Sequence, residues 1–213
     1  MTPTNDPLSR RSFLKQSTAA ASVTALASSI GHGANVAGTD ELKIGLIGCG
    51  GRGTSAASQA LQATDTPVKL WALGDLFMDQ VEASRELLSS GADKRYDRDP
   101  FPSLAAKMDV PKERMFAGFD CFQKVIDSGV DVVLLAAPPH FRPEHFEAAV
   151  SAGVHVFMEK PVAVDPQGIR RVIEAARQAK QKKLSVVAGT QRRHQSHYVE
   201  IMKRVHDGAI GRI

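Results

Sequence analysis

Lys43-Ile44-Gly45-Leu46-Ile47-Gly48 runs without a break into Gly48-Cys49-Gly50-Gly51-Arg52-Gly53 and then into an alanine-rich stretch. The apolar half reads as a β-strand, Leu42 to Gly48, and Gly51 to Ala63 as the helix that follows it. A second strand, Val68 to Leu73, ends in Gly74-Asp75, about twenty residues past the last loop glycine, the spacing of a dinucleotide fingerprint. The order strand, Gly-x-Gly-x-x-Gly, helix, strand, acid predicts a loop that receives a pyrophosphate. Gly48 permits the tight turn, Gly50 lets the backbone approach the phosphates, and Gly53 lets the helix pack on the strand. Cys49 and Gly51 complete the loop, and the helix-terminal amides face the phosphates. Asp75 is placed to accept from both adenosine ribose hydroxyls and to repel a 2′-phosphate, which favours NAD over NADP. Arg52 is expected against the phosphates, against the adenine, or in solvent as a first-turn arginine.

Strand and helix patterns keep alternating beyond Asp75. Helices are expected near Asp79 to Ser90, over Cys121 to Ser128, from Pro143 to Ala152, and from an Asp165-Pro166 cap to about Lys183. In the last of these, Ile169, Val172, Ile173 and Ala176 mark the apolar face. A polar, proline-bearing segment spans Gly91 to Arg114. Strands are expected at Met115 to Phe119, Asp131 to Ala137, His155 to Met158 and Ser185 to Gly189, with a final helix from Tyr198 to His206 closed by Gly208. Asp131-Val132-Val133-Leu134-Leu135-Ala136-Ala137 is apolar after its first residue, as in a strand buried on both faces. This is an α/β pattern, a doubly wound parallel sheet of the NAD(P)-binding Rossmann type. In such sheets the chemistry lies outside the carboxyl ends of the strands. There the chain places Pro138 and His140, then Glu159 and Lys160, then Gln191. Lys160, at the end of an apolar strand, is the candidate acid/base group.

With 213 residues and 43% hydrophobic content the chain holds one core. Its net charge of +4 is spread without a basic stripe, which argues against nucleic-acid binding. The two cysteines, Cys49 and Cys121, have neither metal-ligand nor redox spacing. His194 and His197 are spaced as two metal ligands but lack a third, so no metal site is expected.

Residues 1–38 read as a leader and linker, and residues 39–213 as the nucleotide-binding unit. Ser9-Arg10-Arg11-Ser12-Phe13-Leu14-Lys15 precedes a weakly apolar stretch, Ser17 to Ile30, the pattern of a twin-arginine export signal. Cleavage is expected at Ala25-Leu26-Ala27 or among the small residues between Ala34 and Gly38. The stretch is too short and too hydroxylated for a comfortable membrane span, so the membrane is met only in transit through the twin-arginine machinery. The expected destination is the periplasm or another exported location. No dinucleotide pool exists there, so the cofactor should be tightly held.

The glycine loop, Ala137-Pro138-Pro139, Glu159-Lys160-Pro161 and Gln191-Arg192 together resemble the Gfo/Idh/MocA oxidoreductases, from Leu42 onward. The resemblance implies that Lys160 binds the substrate hydroxyl and assists proton transfer, and that Glu159 holds nicotinamide or ribose groups. It also implies a cis bond before Pro161 and a substrate that is a sugar or cyclitol. Where the family has Thr-Pro-Asn or Thr-Pro-Asp and then a histidine, this chain has Ala137-Pro138-Pro139-His140 and a further His145. Either histidine is a candidate to face the cofactor. The family's second α/β domain, with its catalytic aspartate and histidine, would lie beyond Ile213. The chain is therefore expected to be a nucleotide-binding fragment, inactive or nearly so alone and prone to self-association through an exposed apolar surface, with a homo-oligomer open for the full-length protein. Two alternatives to a dehydrogenase stay open: a redox-assisted glycosidase, and a non-catalytic nucleotide- or sugar-binding protein.

Overall fold

Near-continuous burial along the central strands, over the last four residues of the first and the last three of the fourth by chain order, sets the architecture, because these strands are covered on both faces. The computed structural model describes residues 41–63, 66–91 and 103–212. The leader reading lies outside those residues. Its strands are β1 (Leu42–Ile47), β2 (Val68–Asp75), β3 (Met115–Ala117), β4 (Val132–Leu135), β5 (His155–Glu159) and β6 (Val186–Gly189). Its helices are α1 (Gly51–Gln62), α2 (Met78–Ser90), α3 (Cys121–Asp127), α4 (Arg142–Ala152), α5 (Pro166–Gln181) and α6 (Ser196–His206). Short 3-10 turns lie at Ala105–Lys107, Lys112–Arg114 and Gln191–Arg193.

All strand pairs are parallel, in the order β3-β2-β1-β4-β5-β6. The order reverses direction between β1 and β4, and connections leave these neighbours for opposite sides, opening a crevice at their carboxyl ends. Side chains alternate between the sheet's two faces. Leu46, Leu134, Leu70 and Leu73 join Leu61 of α1 and Val81 of α2 in one cluster. Ile47, Val133, Leu135 and Ala72 join Val125, Phe146 and Ala175 of the later helices in the other. Phe146 is fully buried, which stabilises the fold by about 2–3 kcal/mol relative to an exposed ring.

The cap of α5 was readable in the sequence. The Asp165 carboxylate accepts from Gly168 N at 2.6 Å and caps α5. Gly91 and Gly153 end α2 and α4 in the left-handed conformation. The apolar face expected for α5 is a correction. The helix buries Gly168, Ala175 and Ala179, with Val172 half-buried, while Ile169 and Ile173 stay 40% and 48% exposed. Small residues let α5 lie close to its neighbours: a Cβ on Gly168 would come within 2.9 Å of Ala163 Cβ and 3.2 Å of Pro143 Cγ. Counting large apolar residues points to the wrong side of such a helix. With Val164 and Val187, these isoleucines expose apolar surface on and around α5 and β6. The strand expected at Met115 to Phe119 shortens to three residues, Met115–Ala117, since Gly118 turns with φ near +104°.

On β2, Trp71 is enclosed by charge. Arg114 Cζ lies 3.4 Å and Lys43 Nζ 4.3 Å from its ring centroid. The indole N–H donates to Ser128 O at 2.8 Å, and Arg114 Nε donates to the Trp71 carbonyl at 2.8 Å.

Candidate dinucleotide and active site

The glycine loop leaves β1 at a position only glycine fits. Gly48 has φ near +98°, and a Cβ there would sit 2.3 Å from Ala137 N. Gly53 faces the same constraint from the helix: its Cβ would lie 1.8 Å from Gly48 O. At Gly50 a Cβ would meet nothing within 4 Å, so the backbone is open to the cleft. Gly51, the first residue of α1, is exposed.

Asp75 ties the loop to the end of β2. Its Oδ2 accepts from Cys49 N at 2.7 Å and its Oδ1 from Phe77 N at 3.1 Å. A carboxylate offers about four acceptor positions, so each oxygen keeps one for a ligand diol. The Cys49 thiol is fully buried, 3.5 Å from Gly74 O, and burial pushes its pKa well up. That side chain supports the loop from beneath and does not line the cleft. Cys121 does line the cleft, with a thiol pushed up to about 11, chiefly by burial.

Beyond β4, Pro138 lines the cleft and His140 does not. His140 is exposed and meets Phe141 edge-on at 5.2 Å. His145, on α4, is the histidine turned inward, 5% exposed and stacked on Phe122 at 4.3 Å. Between them the structure reveals Arg142, which the sequence reading did not single out. It is 3% exposed and donates through Nη2 to Ala137 O at 2.5 Å and through Nη1 to Pro161 O. Arg142 thereby joins the loop after β4 to the loop that carries Lys160.

At the end of β5 the Lys160–Pro161 bond is cis. Glu159 is 4% exposed. Its Oε1 accepts from Arg52 Nε at 2.8 Å and Nη2 at 2.5 Å, and its Oε2 from Gln191 Nε2 at 3.0 Å. Arg52 therefore spans from the glycine loop to β5. Lys160 is exposed at the rim.

The resulting cleft holds about 550 Å³. Of the residues expected from the sequence, Gly48, Gly50, Arg52, Asp75, Pro138, Glu159, Lys160 and Gln191 line it. A profile described as an oxidoreductase family with an NAD-binding Rossmann fold matches residues 42–188. The chain belongs to the Gfo/Idh/MocA oxidoreductase family. It is 28% identical over 172 residues to inositol 2-dehydrogenase 4 of Saccharopolyspora erythraea, covering 81% of this chain and 43% of that protein. It is 27% identical over 171 residues to myo-inositol 2-dehydrogenase of Thermotoga maritima, covering 80% and 42%. The solved myo-inositol 2-dehydrogenase of Lactobacillus plantarum superposes with a TM-score of 0.58 at 25% identity, covering 82% of this chain and 43% of that one. The chain thus spans less than half the length of these relatives.

For this Gfo/Idh/MocA chain, His145 predicts a pH dependence of stability. Burial, and then the nearby Arg142 charge, lower its pKa from 6.5 to about 4. The unfolded chain takes up this proton below pH 6.5 and the native chain only near pH 4. The contribution is therefore complete above pH 6.5 and lost as pH falls through the folded value, on the order of 3 kcal/mol in all. Urea midpoints at pH 7 and pH 5 should differ more for the wild type than for His145→Phe. Equal pH sensitivity of the two proteins would refute the assignment.

His194 and His197 are both exposed, and His197 packs on Tyr198 at 4.7 Å. Among the described residues no group of three or more His, Cys, Asp or Glu could hold a metal ion, and no helix is long and apolar enough to cross a membrane.

Proposed function

We propose that this chain holds NAD in the cleft at the β1–β4 switch and supplies the acid/base lysine for oxidation of a secondary hydroxyl on a sugar or cyclitol. The observation that carries the reading is one cleft bordered by the glycine loop, Asp75 and Lys160 together. The residues fit the cofactor: Gly50 leaves open space for a pyrophosphate, and Asp75 keeps acceptor positions for a ribose diol. When bound, NAD supplies the hydride acceptor. Lys160 would hold the substrate hydroxyl by a hydrogen bond and take its proton as the carbonyl forms. Arg142 fixes the two loops that flank this step, and Phe141 and Ala137 give the cleft an apolar lining beside it. The inositol dehydrogenases among the relatives support a polyol substrate.

The choice of NAD over NADP rests on Asp75. Asp75→Ala should weaken NAD binding by about tenfold, or about 1.4 kcal/mol, and relax discrimination against NADP. Calorimetric titration with both nucleotides checks this, and equal affinities in the unmutated protein would sink it. The same reading extends to export with tightly held cofactor, supported by Arg10-Arg11 and the residues after them. Replacing both arginines by lysine should keep the protein in the cytoplasm of its host, measured by fractionation. Unchanged export would remove that part of the proposal.

A further inference from the structure

A carboxylate as buried as Glu159 needs donors at both oxygens. Gln191 serves Oε2 from the neighbouring strand end, whereas the cation on Oε1 comes from 107 residues away in the chain. That cation, Arg52, is the second residue of α1, and its side chain remains 38% exposed beside the open glycine loop. The first turn of α1 contains no acid and its N-cap offers no side-chain acceptor. A dinucleotide brings its pyrophosphate to this helix end. Carboxylate and phosphate are alternative anions for one forked guanidinium.

Resting on the dinucleotide reading above, we propose that Glu159 is a stand-in anion. Loading the cleft passes Arg52 from Glu159 to the pyrophosphate and leaves Glu159, still held by Gln191, with a free acceptor beside Lys160. No covalent bond changes in this exchange. It has a consequence for selectivity. Once Arg52 leaves, buried Oε1 lacks a donor unless the ligand supplies one, such as a ribose hydroxyl or a carboxamide N–H. A complete dinucleotide supplies that donor and ADP does not. The exchange therefore makes the cleft prefer NAD to ADP by more than the added contacts of the nicotinamide half.

The test is calorimetric titration of the chain with ADP, adenosine and NAD. Glu159→Gln should tighten ADP about tenfold, the scale of one charge-assisted contact, leave adenosine unchanged, and narrow the preference for NAD. In an Arg52→Ala background the same change at Glu159 should have no effect on ADP. Unaltered ADP affinity in Glu159→Gln, or equal tightening without Arg52, overturns the exchange. A measurement on the wild type covers a variant that fails to fold. The Arg52 Nε–H resonance should move on saturation with ADP and stay in place with adenosine; an unmoved resonance at saturating ADP overturns the proposal. A chain that binds neither ADP nor NAD overturns the dinucleotide reading and the exchange with it. NAD binding with Arg52 still on Glu159 overturns the exchange alone.

Discussion

Lys160→Met should lower turnover of a sugar or cyclitol by two or more orders of magnitude, about the loss of a positioned acid/base group. The measurement belongs in a form of the protein as long as the inositol dehydrogenases it resembles. NAD should remain bound, because Lys160 lies at the rim while Asp75 and the glycine loop hold the other end of the cleft. Lys160→Arg should not restore activity, since a guanidinium does not give up its proton near neutral pH. A redox-assisted glycosidase would lose turnover in the same variant. Measuring NADH after one turnover with a free sugar and with a glycoside separates the two reactions. Wild-type rates in Lys160→Met would overturn the catalytic assignment.

The second large effect concerns the loop backbone. Gly53→Ala drives a Cβ to 1.8 Å from Gly48 O, a backbone atom with no free rotation to escape. Helix α1 must lift off β1, and the loss should be about 3 kcal/mol or more, the range of severe overpacking. Gly50→Ala is the control: its Cβ meets nothing within 4 Å, so stability should stay within about 0.5 kcal/mol. NAD affinity should nonetheless fall in Gly50→Ala, because the added methyl stands where the phosphates approach. Urea unfolding of both variants, followed by NAD titration, reads the two effects separately. A Gly53→Ala protein as stable as the wild type would contradict the packing described here.

These contrasts show what was legible before any coordinates. The fold was, since glycine spacing, an acid about twenty residues on and apolar runs between helices report backbone geometry directly. Strand β2 falls on the residues expected, Val68–Asp75. The lining of the cleft was legible where a side chain sits at or just past a strand end, as with Asp75, Glu159, Lys160 and Gln191. It was not legible where a residue acts on backbone carbonyls. Arg142 binds Ala137 O and Pro161 O, and nothing in its neighbours' identities announces that. The helix expected from the sequence starts at Pro143, so Arg142 falls just outside it. Finding that His145 lines the cleft likewise needed the rotation of α4 about its axis, which the sequence leaves open because the helix has no clear apolar face. The pairing of Arg52 with Glu159 joins residues read separately as cofactor contacts, and only the sheet order brings them together.

Trp71 is the single tryptophan of the chain, which makes its enclosure an optical property of the molecule. Its emission belongs to one environment, fixed by the Lys43 and Arg114 cations and the Ser128 carbonyl. Those partners come from β1, from the turn before β3 and from the end of α3, so separating any of these segments should change the spectrum. The indole is not part of the cleft lining. Intrinsic fluorescence is therefore a gauge of whether the β1–β2–β3 half of the sheet is assembled, and ligand titrations need a second signal.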